Sequence, residues 1–538
     1  MTDISVFPPS RGDPESFQGI VLQQDRWNDF NFVTQYHLYV AVPEFTGRIG
    51  TVKILRRGQT AADELQLDIG ALAPLDDNFV SLGQDLDYYE RLASLPEQLR
   101  QELLNGLKDA IAFPAHAETF ANEQGWTTSI LREVQWSSFR QDAAVLLQRD
   151  YNRVARLGLD IAFHVTGWEN ALKLNFKAPD DIFLWGAPPT ALPDRIAVLI
   201  GRNGSGKSTL LSRLARVLHA SQRERGTETL TALGKIDPPG IGFTRIINIA
   251  YSAFDVFQLP GVDYRDRKQI VDDLERGAGR YHYCGLRDIA REVRRAEGVG
   301  DVDGMPIQPQ DVDRQELVIL KTSEELATEF SKIVSRINES GRQDLFAQVC
   351  GILASDTSFA DLGADPAASV IAHAVAWFRV WSTGHKIVMH AIASLVAYTE
   401  PKSIVLIDEP ETHLHPPLLA AFMHATRTIL RHNDAFAVIA THSPVVAQET
   451  LARHTAIVRR SGSETRISSP RIETYGESLG EITNEIFGLT ADATDFHQEL
   501  SRLVEAGLTL DQIEGLFDRG LSLQARAFVM TKLADRRT

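Results

Sequence analysis

The chain has 538 residues, 43% of them apolar and 23% charged, which excludes a disordered or fibrous protein and leaves room for several units of about 150 residues or one elaborated domain. Lys+Arg 55 against Asp+Glu 71 leaves −16, too acidic for a general coat on DNA or on an anionic membrane. The two cysteines, Cys284 and Cys350, are too few for a disulfide framework or a thiolate zinc site and suit a reducing cytosol.

No repeat and no low-complexity tract interrupts the sequence. Residues 1–55 read as an N-terminal β part. In Phe30, Phe32, Thr34, Tyr36, Leu38 and Val40 every second residue is apolar, aromatic or β-branched, and Thr51–Leu55 makes a further strand ended by Arg56-Arg57-Gly58. Residues 56–165 read as a helical insertion, because Leu99, Leu103, Leu104 and Leu107, then Ala144, Leu147, Val154 and Leu157, recur at helical spacing. Within it, Ser81-Leu82-Gly83-Gln84 reads as a turn. Strands resume in a core segment, 166–280, at Leu172–Phe176, Asp181–Leu184, Arg195–Ile200 and Arg245–Ala250, with a helix over Ser208–Ala220. Residues 281–398 form a helical lobe with an acidic loop near 299–313. In 399–470, Ser403–Ile407 and Ala435–Ala440 look like central parallel strands. The tail, 471–538, reads as short amphipathic helices broken at Gly488, Gly507 and Gly520. Its apolar residues Phe496, Leu500, Leu503, Leu510, Ile513 and Phe517 recur at roughly helical intervals and either close the chain's own core or make a docking face for a partner.

Three strand tips carry chemistry. Gly201-Arg202-Asn203-Gly204-Ser205-Gly206-Lys207-Ser208-Thr209 fits G-x-x-x-x-G-K-[ST] between an apolar strand and an amphipathic helix, the context of a P-loop. Backbone N–H groups of Asn203 to Thr209 and the helix N-terminus would cradle phosphate, Lys207 would reach the β- and γ-phosphates of ATP, and Ser208 would ligate Mg²⁺. Ile404-Val405-Leu406-Ile407-Asp408-Glu409-Pro410 is a buried strand ending in two carboxylates. There Asp408 would hold Mg²⁺ through water and Glu409 would polarise the attacking water. Val438-Ile439-Ala440-Thr441 ends in His442, placed to meet the γ-phosphate.

Tips in the order P-loop, Asp-Glu-Pro, Thr-His-Ser resemble the ABC-type ATPases. Asp408-Glu409-Pro410-Glu411-Thr412-His413-Leu414-His415-Pro416 is similar to their soluble Rad50, OLD and SMC-like branch rather than to transporters, in which a Ser-x-Leu-Asp element usually follows the acids. The resemblance implies an α/β ATPase head with a mixed, RecA-like sheet, an antiparallel β lobe, helical insertions and a helical tail. It also implies a signature loop offered to the nucleotide of a second subunit, so that heads pair head to tail. Ser382-Thr383-Gly384-His385-Lys386 stands in that order, with Ser382 and Gly384 as the residues that would close the far side of ATP, although it departs from Leu-Ser-Gly-Gly-Gln. Only about 175 residues separate Lys207 from Ser382, too few for a coiled-coil arm.

A narrower resemblance spans most of 190–490. Tyr251-Ser252-Ala253-Phe254-Asp255, Tyr281-His282-Tyr283-Cys284-Gly285-Leu286-Arg287, Ser382 to Val388, the Asp-Glu-Pro segment through Pro417, Thr441-His442-Ser443-Pro444-Val445-Val446 and Tyr475-Gly476-Glu477 look like the PtuA family, ATPases of Septu antiphage systems and some retrons. This implies an HNH nuclease partner of the PtuB kind and, in a retron setting, a reverse transcriptase with its msDNA. No HNH pattern is apparent in the chain itself. Family roles near the Mg²⁺ fall to Ser252 or Gln258, and an adenine platform to Phe176 or Trp185, with core packing equally open for either aromatic.

Arg287, Arg291, Arg294 and Arg295 fall on one helical face, either a DNA-backbone contact or a solvated stripe paired with Asp288, Glu292 and Glu297; the second reading is preferred. Met1–Pro14 shows no signal-peptide pattern, and the apolar stretch Ile387–Tyr398 is shorter than the ~18–20 residues of a membrane span, so a cytoplasmic protein without membrane contact is expected. Rival readings are a Rad50- or RecF-like ATPase acting directly on DNA, a transporter energy subunit, and an ATP-gated scaffold with little turnover.

Overall fold

The computed structural model describes residues 4–536 apart from 11–13, 15–16, 44, 152–158, 177–191, 254, 256, 298–312, 314–316, 363–364 and 489–494. The strand expected at Asp181–Leu184, the aromatic Trp185 and most of the acidic loop lie outside the described residues.

Residues 4–83 build a six-stranded sheet from β1 (Ile4–Phe7), β2 (Gly19–Gln24), β3 (Gln35–Val42), β4 (Phe45–Arg56), β5 (Gly70–Leu72) and β6 (Phe79–Gly83), in the order β5-β1-β2-β3-β4-β6. Neighbours are antiparallel except β1 and β2, so the lobe expected to be antiparallel is mixed at one pair. The alternation read from Phe30 onward becomes strand only at Gln35. Phe30 and Asn31, at φ 49° and 73°, turn the chain between Asp29 and Phe32. The turn is closed by backbone hydrogen bonds between Asp29 and Phe32, and the buried Asp29 carboxylate takes Lys53 Nζ at 2.7 Å and Arg132 Nη1 at 2.6 Å. Ser81 and Leu82, read as part of a turn, are fully buried in β6 against β4.

Helices α1 (Leu86–Ser94), α2 (Glu97–Gly106), α3 (Pro114–Glu118) and α4 (Trp136–Gln148) follow, so 56–165 is helical in its centre but also supplies β5, β6 and β7 (Asp160–Val165). Leu99, Leu103, Leu104 and Leu147 join Leu38, Val40 and Ile54 in one apolar core, which is why the leucine spacing was legible. α1 is fastened to the remainder of the molecule by buried ion pairs of Arg91 with Asp273 (2.9 Å), Asp87 with Arg280 (2.9 Å) and Glu90 with Arg245 (2.7 Å).

The next strands and helices are β8 (Trp168–Glu169), β9 (Leu172–Asn175), β10 (Ile196–Ile200), α5 (Lys207–His219), α6 (Gln222–Arg225), α7 (Glu228–Thr231), β11 (Gly234–Asp237), β12 (Ile246–Ala250), α8 (Tyr264–Glu275), β13 (Tyr281–Gly285) and α9 (Ile289–Glu297). The helical lobe holds α10 (Ser323–Glu339), α11 (Gln343–Leu353), α12 (Pro366–Ala372), α13 (Ala374–Val380) and α14 (Thr383–Tyr398). Then come β14 (Ile404–Asp408), α15 (Pro416–His432), β15 (Phe436–Thr441), α16 (Pro444–Gln448), β16 (Thr455–Ser461), β17 (Glu464–Ser468) and α17 (Leu479–Phe487).

Eight strands form the central sheet in the order β13-β12-β14-β15-β10-β16-β17-β8. The six from β13 to β16 are parallel and β17 returns antiparallel. β10 is buried at all five positions, as is β14 up to Asp408, which is why each reads as an unbroken apolar run. Ile200 pairs with Thr441 and Asp408 with Ala440, so β10, β15 and β14 end at one edge, with the histidine strand between the other two. Open α/β sheets bind ligands at that edge.

The tail helices α18 (Asp495–Glu505), α19 (Leu510–Glu514) and α20 (Leu523–Asp535) close a small core of their own from Leu500, Val504, Ile513, Ala525 and Val529. Among the described residues no helix is long and apolar enough to cross a membrane.

Candidate nucleotide site

The P-loop leaves β10 at Gly201, where a Cβ would lie 2.2 Å from the carbonyl oxygen of Val458 in β16, so only glycine fits. Gly206, at φ 99°, turns the chain into α5. Lys207 is buried, and its Nζ donates to the carbonyls of Gly201 (2.9 Å) and Arg202 (3.0 Å). Burial lowers the ammonium pKa, while Glu409, Asp408 and Glu411 pull it back up. Ser208 Oγ donates to Asp408 Oδ1 at 2.9 Å, which joins the P-loop to the end of β14. Ser205 Oγ is buried without a partner, Asn203 is exposed, and Thr209 stands in the first turn of α5.

Burial pushes the Asp408 carboxyl up to about 7 against the pull of the Ser208 hydrogen bond, and the negative charges of Glu409 and Asp255 add to the effect. Glu409 follows at φ 46°, a left-handed conformation that costs a side-chain-bearing residue energy and that is found where a site dictates the backbone. The 3₁₀ turn Pro410–His413 comes next. Its Glu411 Oε1 accepts from Thr441 Oγ1 (2.6 Å), His442 N (2.7 Å) and Ser443 N (3.1 Å). His442 Nδ1 lies 3.1 Å from the same oxygen and 3.7 Å from Glu409 Oε1, neither with hydrogen-bond geometry. Lys207, Ser208, Asp408, Glu409 and His442 thus sit together at the edge where their strands end, as their positions in the sequence lead one to expect.

Ser382 and Gly384 lie at the start of α14. Ser382 is exposed and caps α14 by accepting from His385 N at 3.4 Å. At Gly384 a Cβ would come within 2.8 Å of His413 O, so the start of α14 packs on the turn that follows the strand-end acids.

Of the two polar candidates after β12, Gln258 lines a cavity of about 20 Å³ together with Ser208 and Asp408; Ser252 does not. Asp255, which sequence reasoning missed, lines it too, and its Oδ2 accepts from Tyr283 OH at 3.4 Å. Phe176 is core: it is buried and stacks on His454 beside Phe436. A different aromatic reaches the phosphate loop, with the Trp168 indole 3.0 Å from where a Gly206 Cβ would stand. The two are separated by 38 residues, and nothing local in the sequence signals the contact.

The arginine stripe is corrected at its first member. α9 begins at Ile289, so Arg287 precedes it, and its buried guanidinium grips Glu292 through two bonds of 3.1 and 2.7 Å. Arg291 pairs with Asp288 and Glu325, and Arg294 with Glu275, in line with the solvated reading. A cavity of about 700 Å³ lies between β13 and α10, and none of the phosphate-loop or strand-end acidic residues lines it.

A P-loop opening a helix, two acids at a parallel strand end and a histidine on the strand between them define a P-loop ATPase of ABC-like type. A family model described as "AAA domain, putative AbiEii toxin, Type IV TA system" matches residues 309–447, which include Ser382, Asp408, Glu409 and His442. Protein ea59 of Escherichia phage lambda is 30% identical over 529 residues, covering 96% of this chain and 95% of that protein, and the chain belongs to its family. Two solved structures overlap 61% of the chain. One is a metal-chelate type ABC transporter in an inward-facing conformation, at 13% identity, TM-score 0.27 and 89% of its own length. The other is an ATP-binding cassette of an ABC transporter in its ADP conformation, at 12% identity, TM-score 0.27 and 94% of its own length.

Proposed function

We propose that this protein hydrolyses ATP as the ATPase subunit of an antiphage complex of the PtuA kind, holding two copies head to tail around nucleotide and thereby controlling an HNH-type nuclease of the PtuB kind. The observation that carries the ATPase reading is the Ser208–Asp408 hydrogen bond at 2.9 Å, formed across 200 residues at the one sheet edge that also holds Lys207, Glu409 and His442. The hydroxyl and the buried carboxyl are hard oxygen donors, and a pKa pushed up to about 7 marks a site that a divalent cation would relieve. They fit Mg²⁺, which when bound with ATP would supply charge neutralisation on the phosphates.

In this reading the amides of Asn203 to Thr209 cradle the phosphates and Lys207 exchanges the carbonyls of Gly201 and Arg202 for phosphate oxygens. Glu409 takes the proton of the attacking water, and His442 turns toward the γ-phosphate. The exposed Ser382 and the glycine at 384 serve the nucleotide of a second copy. The nuclease, and a reverse transcriptase with msDNA in a retron setting, rest on the motif resemblance alone. Direct action on DNA is the weaker reading, because Arg287, Arg291 and Arg294 are occupied by acids.

The test is phosphate release by the purified chain with Mg²⁺ and ATP, together with size-exclusion chromatography with and without nucleotide. The reading predicts turnover, a nucleotide-dependent dimer, and co-purification of a nuclease encoded beside the gene. A chain that neither releases phosphate nor binds ATP overturns it.

A further inference from the structure

We propose that Glu411 is a positioning residue that locks the strand tip bearing His442 to the turn bearing Glu409; the inference rests on the ATPase reading and adds a residue to its machinery. Glu409 and His442 stand at the ends of neighbouring strands, β14 and β15, whose ladder runs as far as Glu409 N donating to Ala440 O at 2.9 Å and stops two residues short of His442. Glu411 carries the connection past that point, from the turn that follows Glu409. Its Oε1 collects a hydroxyl, Thr441 Oγ1 at 2.6 Å, and two backbone N–H groups, His442 at 2.7 Å and Ser443 at 3.1 Å. An ionised carboxylate only accepts, and one that gathers three donors on one oxygen is a strong and directional tether. The side chain is 8% exposed and its second oxygen, Oε2, is buried without a partner, so water does not compete for the contact.

The tether reaches the chemistry in two directions. His442 Nδ1 lies 3.1 Å from Glu411 Oε1 and 3.7 Å from Glu409 Oε1, so the ring stands between an anchored carboxylate and the one assigned to activate water. At the far end of the same short turn, His413 O packs against Gly384, at the start of the helix expected to face a second copy. Thr412 Oγ1 donates back to Glu409 O at 2.9 Å, which makes Glu409 to His413 one stiff unit. Losing the tether therefore loosens the placement of the two reacting side chains while leaving the phosphate loop intact.

The test compares Glu411→Gln, Glu411→Ala, Thr441→Val and the Glu411→Ala/Thr441→Val double variant, with steady-state phosphate release, ATP affinity and thermal melting for each. Glu411→Gln keeps an acceptor oxygen and loses the charge; Thr441→Val keeps the shape and loses the hydroxyl that donates to Glu411 and accepts from Ser443 N. We expect kcat to fall about tenfold or more in Glu411→Ala and less in the other two, with KM and ATP affinity within about threefold of the parent; melting should drop in Glu411→Ala, which leaves three donors unpaired, and less in the other two. Thr441→Val should add little to Glu411→Ala, since the contact they share is already cut and only the bond from Ser443 N to Thr441 Oγ1 is left to lose. An active parent with Glu411→Ala at the parental rate overturns the inference alone, as does a double variant in which the two losses multiply. Should Glu411→Ala fail to fold, the inference stands on Glu411→Gln and Thr441→Val, and parental kcat in both overturns it. A parent that releases no phosphate overturns the ATPase reading and this inference with it.

Discussion

Lys207 Nζ spends two hydrogen bonds on the carbonyl of Gly201 at 2.9 Å and that of Arg202 at 3.0 Å, within its own loop. The ammonium is buried there, next to the Ser208 hydroxyl held by Asp408. Both groups that would meet a triphosphate are therefore pre-placed by protein acceptors that phosphate oxygens can replace. Lys207→Ala removes the only side-chain cation of the loop's GKS segment and should weaken ATP binding by about tenfold or more, read by titration calorimetry or a fluorescent nucleotide.

Glu409 carries two separable properties, a carboxylate and a left-handed backbone at φ 46°. Glu409→Gln keeps the backbone and shape and loses the base, so turnover should fall about 10²-fold or more while ATP stays bound and the paired state accumulates on size exclusion. Glu409→Gly should also lose turnover, yet relieve strain of roughly 1 kcal/mol, so its melting temperature should not fall below the parent's. Parental turnover in Glu409→Gln would remove the residue from the base role.

How far this site was legible in the sequence depends on whether a signal is local. The P-loop, Asp408-Glu409 and His442 could be read because each is a short run fixed to the end of an apolar strand, and strand ends are where parallel sheets gather polar groups. Glu411 could not, since its three donors lie 30 to 32 residues away on another strand and only the fold supplies them. Asp255 carries no such signal, since one acid in a loop makes no pattern, although the fold turns it toward Asp408. β6 was hidden for a related reason: Phe79–Gly83 is buried throughout its last four residues and shows no alternation. Interval spacing puts Arg287 on a helical face, but the helix starts two residues later and the side chain turns inward.

That inward turn gives a sharp contrast in stability. Arg287 is almost fully buried against Glu292 and 3.5 Å from Asp255, both also buried. Arg287→Ala leaves two buried carboxylates without their cation and should cost about 3–5 kcal/mol in a denaturant titration. Arg291→Ala and Arg294→Ala, on exposed pairs, should leave the midpoint where it is. The same exposed variants should leave any salt dependence of DNA binding unaltered.

Burial pushes the Asp109 carboxyl up to about 6, even though it accepts from Ile111 N at 2.9 Å, Ala112 N at 3.0 Å and Tyr89 OH at 3.0 Å. The folded state therefore prefers the protonated acid more than the unfolded chain does. Its contribution to stability is fully present below the unfolded value of 3.8, falls as pH rises toward about 6, and stays lost above that. The difference between the two values corresponds to roughly 3 kcal/mol at neutral pH, before any relaxation of the site. Asp109→Asn keeps the oxygen that takes both backbone N–H groups and offers its amide to Tyr89 OH, with no charge to bury. Denaturant titrations should find the variant more stable than the parent by about 1–3 kcal/mol at pH 8, with the gap closing as pH drops to 5. A gap that stays the same at both pH values would mean that the carboxylate is not what the substitution relieves.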